Sequence, residues 1–194
     1  MKNKVKRLLI IGAVVNVVLG STVFPLVKTT VIKAISQQTY MTGDWISLVI
    51  LMMMTKMFTK KEVRDSLVNK HIYKIMIIDL VLYVLVLGYS LNGNIEFRYI
   101  AVCLLSATTT FIWTKARAIY MKKIFKGEEL IDLESKIEHY TMISAVVGGA
   151  VGIGIAYLKL SYAPLCLAQI IIVIIMTWFD YMTFQAFKKI PVEA

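Results

Sequence analysis

The amino-acid sequence predicts an all-α, polytopic membrane protein with six transmembrane helices, and three observations carry that expectation. First, 58% of the 194 residues are hydrophobic and the mean hydropathy is +0.72, well above what a water-soluble domain carries. Second, a helix needs roughly 20 apolar residues to cross a hydrocarbon core about 30 Å thick. Six stretches approach that length: 8–27, 41–58, 72–91, 99–113, 140–158 and 163–187. Third, eighteen of the 22 Lys and Arg fall within 2–7, 56–74, 115–136 and 188–189. Only Lys28, Lys33, Arg98 and Lys159 lie in the alternate segments. Short loops rich in Lys and Arg stay on the cytoplasmic side, so the pattern predicts six crossings of the plasma membrane with both termini cytoplasmic.

The same clustering disposes of the net charge of +10. The charge is spread over loops that face anionic headgroups, without the basic-aromatic groove that a nucleic acid requires. The apolar run after Arg7 is longer than a signal-peptide core and further spans follow it, so it reads as a retained first helix.

Taken in order, the first span carries Asn16 at mid-depth, with Gly12 and Gly20 on either side and Pro25 near its outer end. Asn16 has two readings: a hydrogen-bonding contact to a neighbouring helix, or the lining of a polar cavity. The polar stretch 28–40 keeps a helical pattern and extends the first helix beyond the membrane. Asp44 lies at the outer end of the second span, where a carboxylate suits a helix N-terminus. Met52, Met53 and Met54 read as adaptable packing rather than as metal ligands.

The third span carries Asp79 about two turns from its start. A carboxylate facing lipid at the centre of a span costs about 2.5–3.5 kcal/mol, so Asp79 is expected to face protein, water or the membrane rim. The same holds for Asp180 in the sixth span. Asn92-Gly93 forms the turn into the fourth span. That span carries Ser106, Thr108 and Thr110, of which Thr108 and Thr110 join Asn16 as candidate cavity-lining residues. Its helical pattern continues through Lys115, Arg117, Lys122 and Lys123 until Gly127 breaks it.

Residues 128–139 form a second amphipathic pattern, with Leu130, Leu133 and Ile137 on one face, and read as a cytoplasmic helix on the membrane surface. The fifth span is glycine-rich: Gly148 and Gly152 are four apart, and Gly149 and Gly154 add small surface, so all four are candidate helix-packing positions. The sixth span is rich in Ile and Val, with Trp178 and Tyr181 at interfacial height. Cys103 and Cys166 lie inside spans in no redox or metal motif, and His71 and His139 are isolated. No catalytic, metal or cofactor constellation appears, and an enzyme is not expected.

The order Ile77-Ile78-Asp79-Leu80, Lys115-Ala116-Arg117-Ala118, Gly127-Glu128-Glu129-Leu130 and a glycine-rich fifth helix resembles the N-terminal six-helix half of major facilitator superfamily transporters, in the branch of siderophore and drug exporters. The resemblance covers about residues 74–158 by motif and the first two spans by hydropathy. Members of that family have two such halves with the substrate cavity between them. They also carry a Gly-x-x-x-Asp-Arg-x-Gly-Arg-type loop after the second helix, and here the corresponding stretch has only Arg64-Asp65.

The resemblance implies a single domain, residues 1–194, that forms one half of a transporter bundle. Its expected partners are the lipid bilayer, a second copy or another six-helix protein, and a small-molecule substrate. Two alternatives remain open: a non-transporting accessory or immunity protein directed against a membrane-active peptide, and the substrate-binding component of a vitamin importer.

Overall fold

The computed structural model describes residues 2–60 and 71–190, apart from the side chains of residues 109, 110 and 112. Most of the loop between the second and third spans, with Arg64 and Asp65, therefore lies outside the described residues, as does the side chain of Thr110. The described residues form helices and no strand: α1 (Lys2–Ala34), α2 (Gln37–Thr59), α3 (Ile72–Ser90), α4 (Ile95–Ile124), α5 (Glu128–Ala156) and α6 (Tyr162–Lys188). Each of the six is long and apolar enough to cross a membrane. Even α3, with 19 residues, is about 29 Å long at 1.5 Å per residue.

The surface agrees with that reading. Val146 is 73% exposed and Ile153 63% on α5, and Met52 is 64% exposed and Trp45 63% on α2. Apolar area on this scale is incompatible with a water-facing surface and suits lipid. The protein is a multi-pass membrane protein of the all-α class.

Three helix boundaries differ from the sequence expectation, each for a local reason. α1 continues to Ala34, and α2 begins seven residues before Asp44, at Gln37, because Ser36 caps it: its Oγ accepts the Thr39 N–H at 3.2 Å. Asp44 is therefore inside the helix, where its carboxylate accepts the Tyr99 hydroxyl at 3.2 Å. The amphipathic stretch 128–139 and the glycine-rich span form one continuous α5 of 29 residues, since no Gly or Pro interrupts the chain at their junction. The break before α5 falls at Gly127, whose φ of 57° lies in the left-handed region that glycine tolerates best. Lys122 and Lys123 close α4 and Glu128 and Glu129 open α5, each matching the sign of its helix end.

The chain sorts into two compact units. A terminal unit holds residues 1–28 and 117–194, and a central unit holds residues 29–116. In the terminal unit α1 packs on α5 and α6. A Cβ added at Gly148 would collide with the Ser21 Oγ and lie 2.5 Å from the Val18 carbonyl oxygen; one at Gly152 would lie 2.8 Å from that of Thr22. At this approach the Thr22 hydroxyl reaches the Gly148 carbonyl at 3.1 Å. A Cβ at Gly12 would be in ordinary contact with Phe179, at 3.8 Å, on α6. Tyr120, Phe184 and Phe187 close the far end of the unit, Tyr120 and Phe187 being stacked at 5.1 Å.

In the central unit α4 packs on α2 and α3. A Cβ at Gly43 would lie 2.5 Å from the Tyr99 ring and 3.1 Å from the Cys103 Sγ. Tyr40 stacks on Tyr99, Phe58 meets Phe111 edge-on, and Tyr89 of α3 meets Phe97. In each unit the first helix of one sequential triplet therefore packs on the second and third helices of the other.

Only two of the four candidate packing glycines of α5 lie against α1. Around Gly149 and Gly154 an added Cβ meets nothing within 4 Å. They sit about 100° and 200° around the helix from Gly148 and Gly152, off the contact face. Gly152→Leu and Gly43→Val should therefore each cost about 1–3 kcal/mol or more through overpacking. Gly149→Ala and Gly154→Ala should leave the thermal midpoint in detergent micelles unchanged or slightly raised.

Candidate functional site

Two groups of polar side chains within the spans stand out, one in each unit. In the terminal unit, Asn16 of α1 and Asp180 of α6 share a side-chain hydrogen bond, and the Arg117 guanidinium lies within electrostatic reach of the same carboxylate. The Asn16 Oδ1 is buried and has no hydrogen-bond partner among the described residues, so its Nδ2 is the donor to Asp180. The pair lies where α1 packs on α6. One turn earlier on α1, Gly12 lies against Phe179, the residue before Asp180, so the same two helices are in contact on either side of the pair.

Asp180 is eight residues before Lys188, the last residue of α6, about 12 Å of helix rise. A carboxylate at that depth is tolerable because it has a donor and a countercharge. The unsatisfied Asn16 oxygen leaves one acceptor open toward the interior, available to a water, a cation or a ligand donor.

The central unit holds an elongated groove between α2 and α4 with a volume of about 660 Å³. Its polar lining is Asp44, Ser47, Ser106, Thr114 and Lys115, and Leu48, Leu51 and Phe111 supply apolar walls. The two helices run parallel: Asp44 bonds Tyr99, and the Ser47 hydroxyl donates to the Cys103 carbonyl at 3.3 Å further along both. Asp44 therefore marks one end of the groove and Lys115 the other. The Ser106 hydroxyl donates to the Val102 carbonyl at 2.6 Å, so Ser47 and Ser106 turn oxygen lone pairs, not protons, to a guest. The Lys115 ammonium sits 5.6 Å from the centre of the Phe111 ring, a cation–π distance. The groove thus offers an acidic end, acceptor oxygens, an aromatic face and a basic end, and its volume falls in the range of small-molecule sites.

The candidate residues read from the sequence divide accordingly. Asn16 and Asp180 come together. Thr108, half-buried on α4, returns its hydroxyl to the Leu104 carbonyl at 2.9 Å, and Ser106, two residues before it, lines the groove instead. Asp79 lies half-buried on α3, seven residues from the helix start. Arg117 was legible only as a cytoplasmic-side charge, because its carboxylate is 63 residues away in sequence and no local spacing signals the pair. Among the described residues no group of three His, Cys, Asp or Glu is placed to hold a metal ion. No family model, curated protein or solved structure matches the chain.

Outside the membrane, the start of α1 is tied to the start of α5. Lys6 and Glu129 form an ion pair at 2.8 Å, and the Lys6 ammonium lies 5.6 Å from the centre of the Phe125 ring. The hydrogen bond from Lys6 holds the Glu129 carboxyl below its ordinary value of 4.5. At the opposite ends of the helices, the Ser36 N–H donates to Glu96 at 3.2 Å and lowers that carboxyl in the same sense.

Asn16→Val should destabilise the protein by about 1 kcal/mol and Asp180→Leu by more, because Arg117 is then left without its counter-charge. The double variant should lose less than the sum, and a double-mutant cycle in reversible detergent unfolding reads that coupling. A depressed carboxylate contributes stability above its unfolded-state pKa and loses it as pH falls through the folded-state value. The thermal midpoint of the wild type should therefore fall more steeply than that of Glu129→Gln as pH drops below 4.5.

Proposed function

We propose that the protein is a half-size, transporter-like component of the plasma membrane, similar to the N-terminal half of a major facilitator exporter and with both termini in the cytoplasm. It pairs with a second copy or another six-helix protein, and it binds a small amphipathic solute rather than transforming one. The observation that carries this reading is the reciprocal packing of the triplets, α1 on α5 and α6, α4 on α2 and α3. That exchange is what a three-plus-three inverted repeat produces, and inverted repeats are the building plan of secondary transporters. The α2–α4 groove supports the same reading by its size and mixed lining, and the exposed face of α2 beside it suits a partner half that would complete a cavity.

The test uses the full chain in nanodiscs. Native mass spectrometry should show a dimer. A panel of small amphipathic cations and zwitterions should include compounds that raise the thermal midpoint of the wild type, with the gain lost in Ser106→Leu. A monomer whose midpoint no compound shifts would overturn the transporter reading and favour the accessory or immunity role.

A further inference from the structure

The start of α1 and the end of α6 lie together in the terminal unit. Lys4, near the start of α1, and Lys189, just beyond the end of α6, line one cavity of about 420 Å³. Its floor and walls are apolar: Val5 and Leu8 from α1, Met182 and Ala186 from α6. On the α6 side the Gln185 Nε2 donates to the Tyr181 hydroxyl oxygen at 2.7 Å, and the second amide proton of Gln185 is a donor for a guest. Among the described residues no acid lines the cavity and neither lysine is paired with a carboxylate. Lys6, in the same cluster on α1, is by contrast already held by Glu129.

The cavity also sits at a defined depth. The apolar run of α1 begins at Leu8 and that of α6 ends at Phe187, so Lys4 and Lys189 stand at the level of the headgroups while Leu8 and Met182 reach acyl-chain depth.

We propose that this cavity is a binding site for one anionic phospholipid of the leaflet that faces the two termini. Its phosphate lies between the Lys4 and Lys189 ammoniums, a headgroup oxygen meets the Gln185 amide, and the upper part of one acyl chain lies against Leu8, Met182 and Ala186. Two cations on one cavity, with no acid among its described lining residues, select net negative charge, and the ammonium of a zwitterionic headgroup would add a third positive charge at the same place. The apolar walls distinguish a lipid from a free phosphate. The bound lipid bridges α1 and α6, the two helices that hold Asn16 and Asp180.

The experiment is native mass spectrometry of the full-length protein released from nanodiscs of equal parts phosphatidylglycerol and phosphatidylcholine. The wild type should retain one phosphatidylglycerol in preference to phosphatidylcholine. Each of Lys4→Gln and Lys189→Gln should lower that retention on the order of fivefold, as expected for one lysine at a charged membrane surface. Lys136→Gln, whose lysine is paired with Asp132, should not. Ala186→Leu fills the apolar wall and leaves both lysines in place, so it should also lower retention. Unchanged thermal midpoints in detergent separate these effects from misfolding. Equal retention in all variants, or equal retention of the two lipids, would overturn the proposal. So would displacement by millimolar inorganic phosphate or indifference to Ala186→Leu, since each would mark a site for free anions rather than lipid.

Discussion

Everything in the terminal unit depends on the close approach of α1 to α5 at Gly148 and Gly152. Inside a bilayer no water is released when two apolar helices meet, so association rests on van der Waals contact and on hydrogen bonds that form only at short range. Removing two side chains from the face of α5 lets the α1 backbone come near enough for Thr22 to reach the Gly148 carbonyl. The register set there fixes the residues of α1 about two and three turns before Thr22. Those are Asn16 and Gly12, and they meet Asp180 and Phe179 of α6. Gly43 serves α2 and α4 in the same way, bringing Asp44 to the Tyr99 hydroxyl.

A second constraint decides where polar groups are tolerated. Backbone groups are satisfied within each helix, as a bilayer demands, and hydroxyls such as Ser21, Thr55, Ser106 and Thr183 return their protons to carbonyls of the preceding turn. The ionisable groups have no such local outlet. Asp180 finds Asn16 and Arg117, and Lys6 finds Glu129 beyond the apolar core. The Asn16 oxygen is a buried acceptor with no hydrogen-bond partner among the described residues. Partly unsatisfied groups of this kind are costly in a purely structural role, and they are where solutes, ions or water enter a membrane protein.

Much of this architecture was legible from the chain. Hydropathy located all six spans, because a helix that crosses hydrocarbon must be apolar on nearly every side. The glycines at 148 and 152 signalled a close contact. Other features were not legible. Asp44 looked like a helix cap because the serine that caps α2 is eight residues earlier in a polar stretch with no apolar onset to mark it. Residues 128–139 looked like a separate surface helix because amphipathic patterning changes at the membrane boundary whether or not the backbone bends. Gly149 and Gly154 looked equivalent to their neighbours until the contact face was known.

The sequence by itself determined the class of protein, the number of spans and the placement of charge, since each is set by transfer of individual side chains between water and lipid, a property that sums residue by residue. Which helix meets which was decided only by the tertiary structure. The exchange of α1 and α4 between triplets, the pairing of Asn16 with Asp180, and the meeting of Lys4 with Lys189 across nearly the whole chain all depend on relative rotation and depth of helices. Those are fixed by a few glycine and aromatic contacts that lie far apart in sequence and close together in space.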